Sequence, residues 1–367
     1  MARGVIALLG SGETAPGMTK VHRRLLSRLG EVHAINLDSP YGFQENVPQM
    51  TTKLVNYFAT SLQTVLHPVS FRSFESASEV ERTIVRQLVR EANYVFAGPG
   101  SPSYALAQWR PLNITEEFER VLDAGGTLCF SSAAVVTLGR YAAPIYEIYK
   151  VGTAPYWLEG LDLLGVAGLS CTAIPHFDNA EGANYDTRFC YLGERRLEYL
   201  ESLLPEDVAT LGVDEHTALI LDLGADTAEV TGRGNAYWRR SGSTRILENG
   251  ATVPLPELRN APTLQRPDEG SIAEIESGSD VIGLAGLIEV NDPRSTEALA
   301  QLVRRAQEKC DLGSGTTALI KGIIALRDQV KSEGNYQLAD QLREILTASA
   351  IEVRDERGAT TWRALTD

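Results

Sequence analysis

The chain has 367 residues, 43% hydrophobic and 22% charged, enough for roughly two to two and a half domains at ~150 residues each; that composition excludes disordered, collagen-like and coiled-coil chains. Its 48 acidic and 34 basic residues leave a net charge of −14, which disfavours general attraction to nucleic acid or to an anionic membrane surface. Cys129, Cys171, Cys190 and Cys310 show no C-x-x-C spacing, so neither a zinc ribbon nor a disulfide framework is expected. In chain order, the first apolar run, Val5-Ile6-Ala7-Leu8-Leu9, is too short for a signal sequence, and no run of ~18 apolar residues follows. A soluble cytoplasmic protein is the expectation. Short runs rich in Val, Ile and Leu recur at 5–9, 32–37, 64–70, 93–97, 126–130 and 170–176, separated by amphipathic segments such as 17–29, 79–91 and 114–123. This rhythm predicts an α/β class, a doubly wound and mostly parallel sheet with helices on both faces. From 208 the runs shorten to 208–213, 218–223, 228–231, 236–239 and 244–247, predicting an antiparallel edge that completes a domain over 1–248. Pro254, Pro256, Pro262 and Pro267 mark 249–280 as a linker. Helical spacing at 294–310, 315–333 and 335–348 then predicts a small helical domain over 281–367.

Four segments place reactive side chains at strand ends. In Leu128-Cys129-Phe130-Ser131-Ser132-Ala133-Ala134 a buried strand runs into small residues and an apolar helix, the layout of a turn that lifts a serine above a sheet. Small residues two positions either side let such a turn close; Ala134 meets that rule and Phe130 does not. Phe96-Ala97-Gly98-Pro99-Gly100-Ser101-Pro102-Ser103 opens another strand into a helix through glycines that let backbone approach a ligand. Ile174-Pro175-His176-Phe177-Asp178-Asn179 sets a histidine at the carboxyl end of a strand, where open α/β sheets bind ligands. Val213-Asp214-Glu215-His216-Thr217-Ala218-Leu219 sets acids between two strands. Taken singly, each of these is more often a packing turn or a charged loop. His176, Asp178, Glu181 and Asp186 also mix imidazole with carboxylates, but spacings of two, three and five residues are no recognised ligand pattern, so no metal and no cofactor are expected.

Together, and in this order, the four segments resemble the dipeptidase E/cyanophycinase family of serine peptidases, whose fold is similar to that of class I glutamine amidotransferases. The resemblance covers about 4–248, and Leu9-Gly10-Ser11-Gly12-Glu13 looks like the family's first strand and loop. The family's serine motif reads G-[TS]-S-A-G-A, its histidine lies in an HF-type motif, and cyanophycinases carry I-D-E-x-T-A-L. The resemblance implies Ser132 as nucleophile, His176 as general base and Glu215 as the acid that orients it, with the N–H groups of Gly100 and Ala133 as the oxyanion hole. Arg188, Ser101 and Asp178 are the expected substrate-binding residues. This chain differs from the family at Phe130 and Ala134, and the loop after His176 lacks the arginine-rich run of cyanophycinases, which speaks against cyanophycin as substrate.

Residues 316–363 resemble the C-terminal helical region of cysteinyl-tRNA synthetases, through Tyr336-Gln337-Leu338-Ala339-Asp340-Gln341-Leu342-Arg343, Ile351-Glu352-Val353-Arg354-Asp355 and Gly358-Ala359-Thr360-Thr361-Trp362. No HIGH or KMSKS signature accompanies them, so synthetase activity is not implied. Leu338, Leu342 and Ile345 form a packing face, and residues 281–367 carry 11 basic and 13 acidic groups, a net of −2 with no footprint for RNA.

The expected function is a serine hydrolase, peptidase-like, acting on a peptide or small amide. The alternative is a catalytically inactive, amidotransferase-like scaffold that binds a ligand and recruits a partner or tRNA through its tail. No membrane partner is expected, tRNA contact by the tail stays open, and a homodimer is compatible with the sequence.

Overall fold

The computed structural model describes residues 3–182, 184–240, 242–259, 324, 327–328, 331, 336–348, 351–356 and 359–364. The chain divides into two compact units, Met1–Leu264 and Gln265–Asp367. In the first, chain order runs β1 (Val5–Leu9), α1 (Pro16–Ser27), β2 (Ala34–Leu37), α2 (Val47–Tyr57), β3 (Leu66–Val69), α3 (Glu79–Glu91), β4 (Tyr94–Ala97), α4 (Pro102–Trp109), α5 (Ile114–Asp123), β5 (Thr127–Ser131) and α6 (Ala133–Val136). It continues with β6 (Tyr141–Ala142), β7 (Leu158–Glu159), β8 (Cys171–Ile174), α7 (Gly193–Ser202), β9 (Ala209–Val213), β10 (Thr217–Asp222), β11 (Thr227–Gly232), β12 (Ala236–Arg240), β13 (Ser243–Leu247), β14 (Thr252–Pro254) and α8 (Leu255–Arg259).

Why β1 is apolar at every position is plain from its two faces. Ile6 and Leu8 join a core with Trp109, Phe118 and Val121 from α4 and α5, whereas Val5, Ala7 and Leu9 join one with Met18 and Leu25 of α1 and Leu54 of α2. A strand covered on both sides has no polar face to show. The main sheet has the order β14-β11-β10-β1-β5-β4-β2-β3. β1 through β5 run parallel, and β10, β11 and β14 pair antiparallel beside β1. The predicted α/β class with a mostly parallel, doubly wound sheet and an antiparallel edge is the one observed. α3 starts where its capping box sets it: the Ser78 hydroxyl accepts the Glu81 N–H, and the Glu81 carboxylate accepts the Ser78 N–H.

Strand partnership differs from the sequence reading. The run at 170–176 does not enter the main sheet; β8 pairs with β9 in a second sheet of order β13-β12-β9-β8. The five short strands expected to form one edge are thus shared between two sheets, because apolar patterning marks a buried strand without naming its neighbour. The boundary expected at 248 also moves. β14 pairs with β11, and α8 buries Leu255 and Leu258, so the start of the expected linker belongs to the first unit.

In the second unit, α9 (Tyr336–Ala348) coincides with the predicted 335–348 helix, and Ala339, Leu342 and Leu346 are buried on it. β15 (Ile351–Glu356) and β16 (Ala359–Ala364) form an antiparallel hairpin where a purely helical domain was expected. The predicted helix at 294–310, most of that at 315–333, Cys310, and the side chains of Leu338 and Ile345 lie outside the described residues. Among the described residues no helix is long and apolar enough to cross a membrane.

Candidate active site

The turn after β5 holds Ser132 at φ 52 and ψ −122, a backbone conformation that side-chain-bearing residues rarely adopt and that is stored at functional turns. The Ser132 N–H donates to the Leu9 carbonyl at 3.0 Å, tying the turn to the end of β1. Phe130 does not obstruct it. Alternation along β5 sends its ring into the helix layer, 6.0 Å from Trp109 and 5.4 Å from Phe118 between centroids. Ser131 turns to the other face, where its hydroxyl donates to Glu13 Oε2 at 3.0 Å. Ala133 opens α6, so its N–H has no partner within that helix.

Ser132 Oγ lies 2.8 Å from His176 Nε2, and His176 Nδ1 lies 2.7 Å from Glu215 Oε1. A carboxylate only accepts, so Nδ1 carries the proton and Nε2 is left to accept from the serine hydroxyl. His176 and Glu215 are 18% and 28% exposed at their side chains, so the series is sheltered yet open to a small substrate. The Glu215 carboxyl is held below its ordinary range, chiefly by the hydrogen bond from His176 and further by one from Asn179.

Three elements support His176. Its N–H donates to the Gly10 carbonyl at 3.3 Å, and its own carbonyl accepts from the N–H groups of Asn179 (3.2 Å) and Cys190 (3.0 Å). The neighbouring Phe177 packs between Phe189, with centroids 4.5 Å apart, and Tyr237, 4.7 Å away and stacked. Phe189, Cys190 and Tyr191 are all left-handed, at φ 60, 56 and 67. Each costs about 1–2 kcal/mol in isolation. Hydrogen bonds from Phe189 N–H to the Phe177 carbonyl and from Cys190 N–H to that of His176 offset the cost.

The other expected residues divide. Gly100 sits at φ +148, and a Cβ there would lie 1.9 Å from the Pro40 carbonyl oxygen, so only glycine fits. Ser101 is buried as the cap of α4: its hydroxyl accepts the Tyr104 N–H at 3.2 Å and pairs with that of Ser103 at 2.9 Å. Asp178 is exposed, and its Oδ1 accepts the Glu215 N–H at 2.7 Å. The Arg188 guanidinium is engaged by Asp186 in a two-pronged pair at 2.9 and 2.8 Å and reaches Glu194 at 3.4 Å, so its fork is occupied. The ring of His216 lies against Gly12.

Two contributors escaped the sequence reading. Asn179 is 1% exposed and donates to Glu215 Oε1 at 3.2 Å. Asp214 is 3% exposed, accepts from the Asn235 N–H (2.7 Å) and the Tyr237 hydroxyl (3.1 Å), and is pushed up to about 6 by burial. The position of Asn179 directly after His176-Phe177-Asp178 was the available signal. Among the described residues no three His, Cys, Asp or Glu side chains gather as a metal site. Asp178 and Asp186 of the mixed loop cluster are engaged as above, and Glu181 accepts from the Tyr191 hydroxyl.

The chain is similar to a peptidase from an acI-B1 Actinobacterium, whose crystal structure it matches with a TM-score of 0.56 at 21% identity, over 69% of this chain and 97% of that one. At that identity the likeness establishes the fold. Over 51 residues, 14% of this chain, it is 37% identical to the cysteine–tRNA ligase of Pseudomonas putida (strain GB-1), of which it spans 11%. No family model matches the chain.

Proposed function

We propose that the first unit is a serine hydrolase of peptidase type that cleaves a peptide or small amide, with Ser132 as nucleophile, His176 as base and Glu215 as the acid that orients it. The observation that carries this reading is the unbroken series of 2.8 and 2.7 Å contacts from Ser132 through His176 to Glu215, begun from a serine at positive φ. The peptidase fold of the structural neighbour adds support.

In this mechanism Ser132 Oγ attacks the substrate carbonyl carbon while His176 Nε2 takes the hydroxyl proton. The imidazolium so formed is stabilised by Glu215, already ionised below its ordinary range. Negative charge developing on the carbonyl oxygen falls to the N–H groups of Gly100 and Ala133, which are fixed before substrate arrives and so need no reorganisation. His176 returns its proton to the leaving amine, the C–N bond breaks, and an acyl-serine remains. Water, activated by the same imidazole, then releases the acid. No metal or cofactor enters.

The test is labelling with a fluorophosphonate probe followed by peptide mapping. Label on Ser132, absent from Ser132→Ala and reduced at least a hundredfold in His176→Ala, is the expected result. A folded protein that takes no label, and hydrolyses nothing in a dipeptide and small-amide panel, would overturn the hydrolase and favour the ligand-binding scaffold.

A further inference from the structure

On that reading of the site, we propose that Asp178 and Asn179 are positioning residues that together grip Glu215, by main chain and by side chain, and hold it on His176. The two grips come from consecutive residues in one loop. Asp178 Oδ1 accepts the Glu215 backbone N–H at 2.7 Å, and Asn179 Nδ2 donates to Glu215 Oε1 at 3.2 Å. Oε1 is also the atom that accepts from His176 Nδ1. The loop that carries the base therefore binds the acid at two points, and the two halves of the series move as one piece.

The amide orientation follows from the partners. A carboxylate cannot donate, so the NH₂ of Asn179 faces Glu215, and its Oδ1 accepts the Glu181 N–H at 3.2 Å. Asn179 is held in turn by its own N–H on the His176 carbonyl and by the Thr187 hydroxyl on its carbonyl at 3.3 Å. A side chain 1% exposed with both amide atoms engaged has no freedom to leave. Glu215, by contrast, is 28% exposed and projects from a connection between two strands, so without the grip it could swing to water.

The charges around Glu215 make the choice of an amide meaningful. Asp178 and Asp214 are its acidic neighbours, His176 and His216 the basic ones, and the Cys190 thiol adjoins it. A third carboxylate at position 179 would oppose ionisation of Glu215, whereas a neutral donor favours it.

The readout is the titration of the Glu215 carboxyl by carbon NMR on glutamate-labelled full-length protein, its signal identified by loss in Glu215→Gln. It needs no turnover. Asn179→Asp, which keeps the shape, is expected to raise the midpoint by at least one pH unit, and Asn179→Ala by about half a unit. Asp178→Asn, which keeps an oxygen for the Glu215 N–H but removes a neighbouring negative charge, should lower it, and Asp178→Ala, which removes the charge and the oxygen together, should leave it above the Asp178→Asn value. Thermal melts check that each variant is folded. On an active protein, kcat falls about tenfold in Asn179→Ala with KM little changed. Unaltered midpoints in both Asn179→Asp and Asn179→Ala, with equal midpoints in Asp178→Ala and Asp178→Asn, would overturn the grip. Failure of Ser132 to take the fluorophosphonate would overturn the hydrolase instead and leave the titration to decide this point separately.

Discussion

The ring of Phe130 lies 6.0 Å from that of Trp109, beneath the turn that bears Ser132. A bulky residue two places before such a serine is expected to keep the turn from closing, yet Phe130 is fully buried on the helix side and the turn closes. The rule of small neighbours concerns side chains that point toward the turn, and strand alternation points this one away.

Replacing Phe130 by the glycine of the resembling family should therefore harm the protein without improving the site. Loss of a buried aromatic ring costs about 3–5 kcal/mol. Phe130→Gly is expected to melt well below wild type, with no gain in probe labelling rate at Ser132. Faster labelling at unchanged stability would mean that the ring does restrict the turn.

How far the fold was legible depends on the kind of information each element needs. β1 through β5 and helices α3 and α5 were readable because a doubly covered strand and a one-sided helix leave distinct periodicities; 79–91 and 114–123 agree with α3 and α5 to the residue. The allocation of β9, β12 and β13 to a separate sheet was not readable, since pairing is decided by partners far away in sequence. Ser132, His176 and Glu215 stand out as reactive types at strand ends. Asn179 and Asp178 act through hydrogen bonds to residues 36 and 37 positions away, which no local pattern signals. The left-handed run Phe189-Cys190-Tyr191 breaks every propensity rule, and only the bonds it makes to the His176 loop explain it.

The position of the unit boundary gives a second expectation. A chain ended at Glu248 loses β14, which pairs with β11 through Thr227 with Pro254 and Ala228 with Val253, and it loses the fully buried Leu255 and Leu258. Each leucine contributes about 1.5–3 kcal/mol by burial. Ending the chain at Leu264 keeps all of these. The shorter form is expected to be less soluble and to unfold at lower denaturant than the longer one. Equal denaturation midpoints would show that β14 and α8 add nothing to the first unit.

Arg188 was expected from its loop position to hold a substrate carboxylate. Its guanidinium instead serves Asp186, whose carboxylate also accepts the N–H groups of Arg188 and Glu194 and is held well below the ordinary range, chiefly by Arg188. The pair pins the loop that follows the histidine. Arg188→Ala should thus lower kcat/KM for acidic and neutral substrates by the same factor, and Asp186→Asn should do likewise. A loss confined to acidic substrates would return Arg188 to substrate recognition.

Burial of His22 makes the stability of the fold depend on pH. The residue is buried between α1 and the main sheet, with Nδ1 2.8 Å from the Tyr94 hydroxyl and Nε2 2.8 Å from the Glu13 carbonyl. A carbonyl can only accept, so Nε2 carries the proton and Nδ1 accepts from Tyr94. The ring is neutral, and protonating it would break the bond from Tyr94 and bury a charge. Burial lowers its pKa from 6.5 to about 4. Because the folded value is the depressed one, the stability it protects is fully present above pH 6.5. That stability falls as the pH drops, and the loss is complete once the pH passes below about 4. Within that window each pH unit costs up to about 1.4 kcal/mol. His22→Gln can donate to Glu13 and accept from Tyr94 without titrating, so its melting temperature should fall less steeply than that of wild type between pH 6.5 and 4. The Glu13 carbonyl held by His22 belongs to the residue whose carboxylate holds Ser131, one position before the nucleophile. Wild-type probe labelling at Ser132 should therefore decay in the same acid window, and decay less in His22→Gln. Melting curves and labelling that fall in parallel in both proteins would assign the acid limit to other groups.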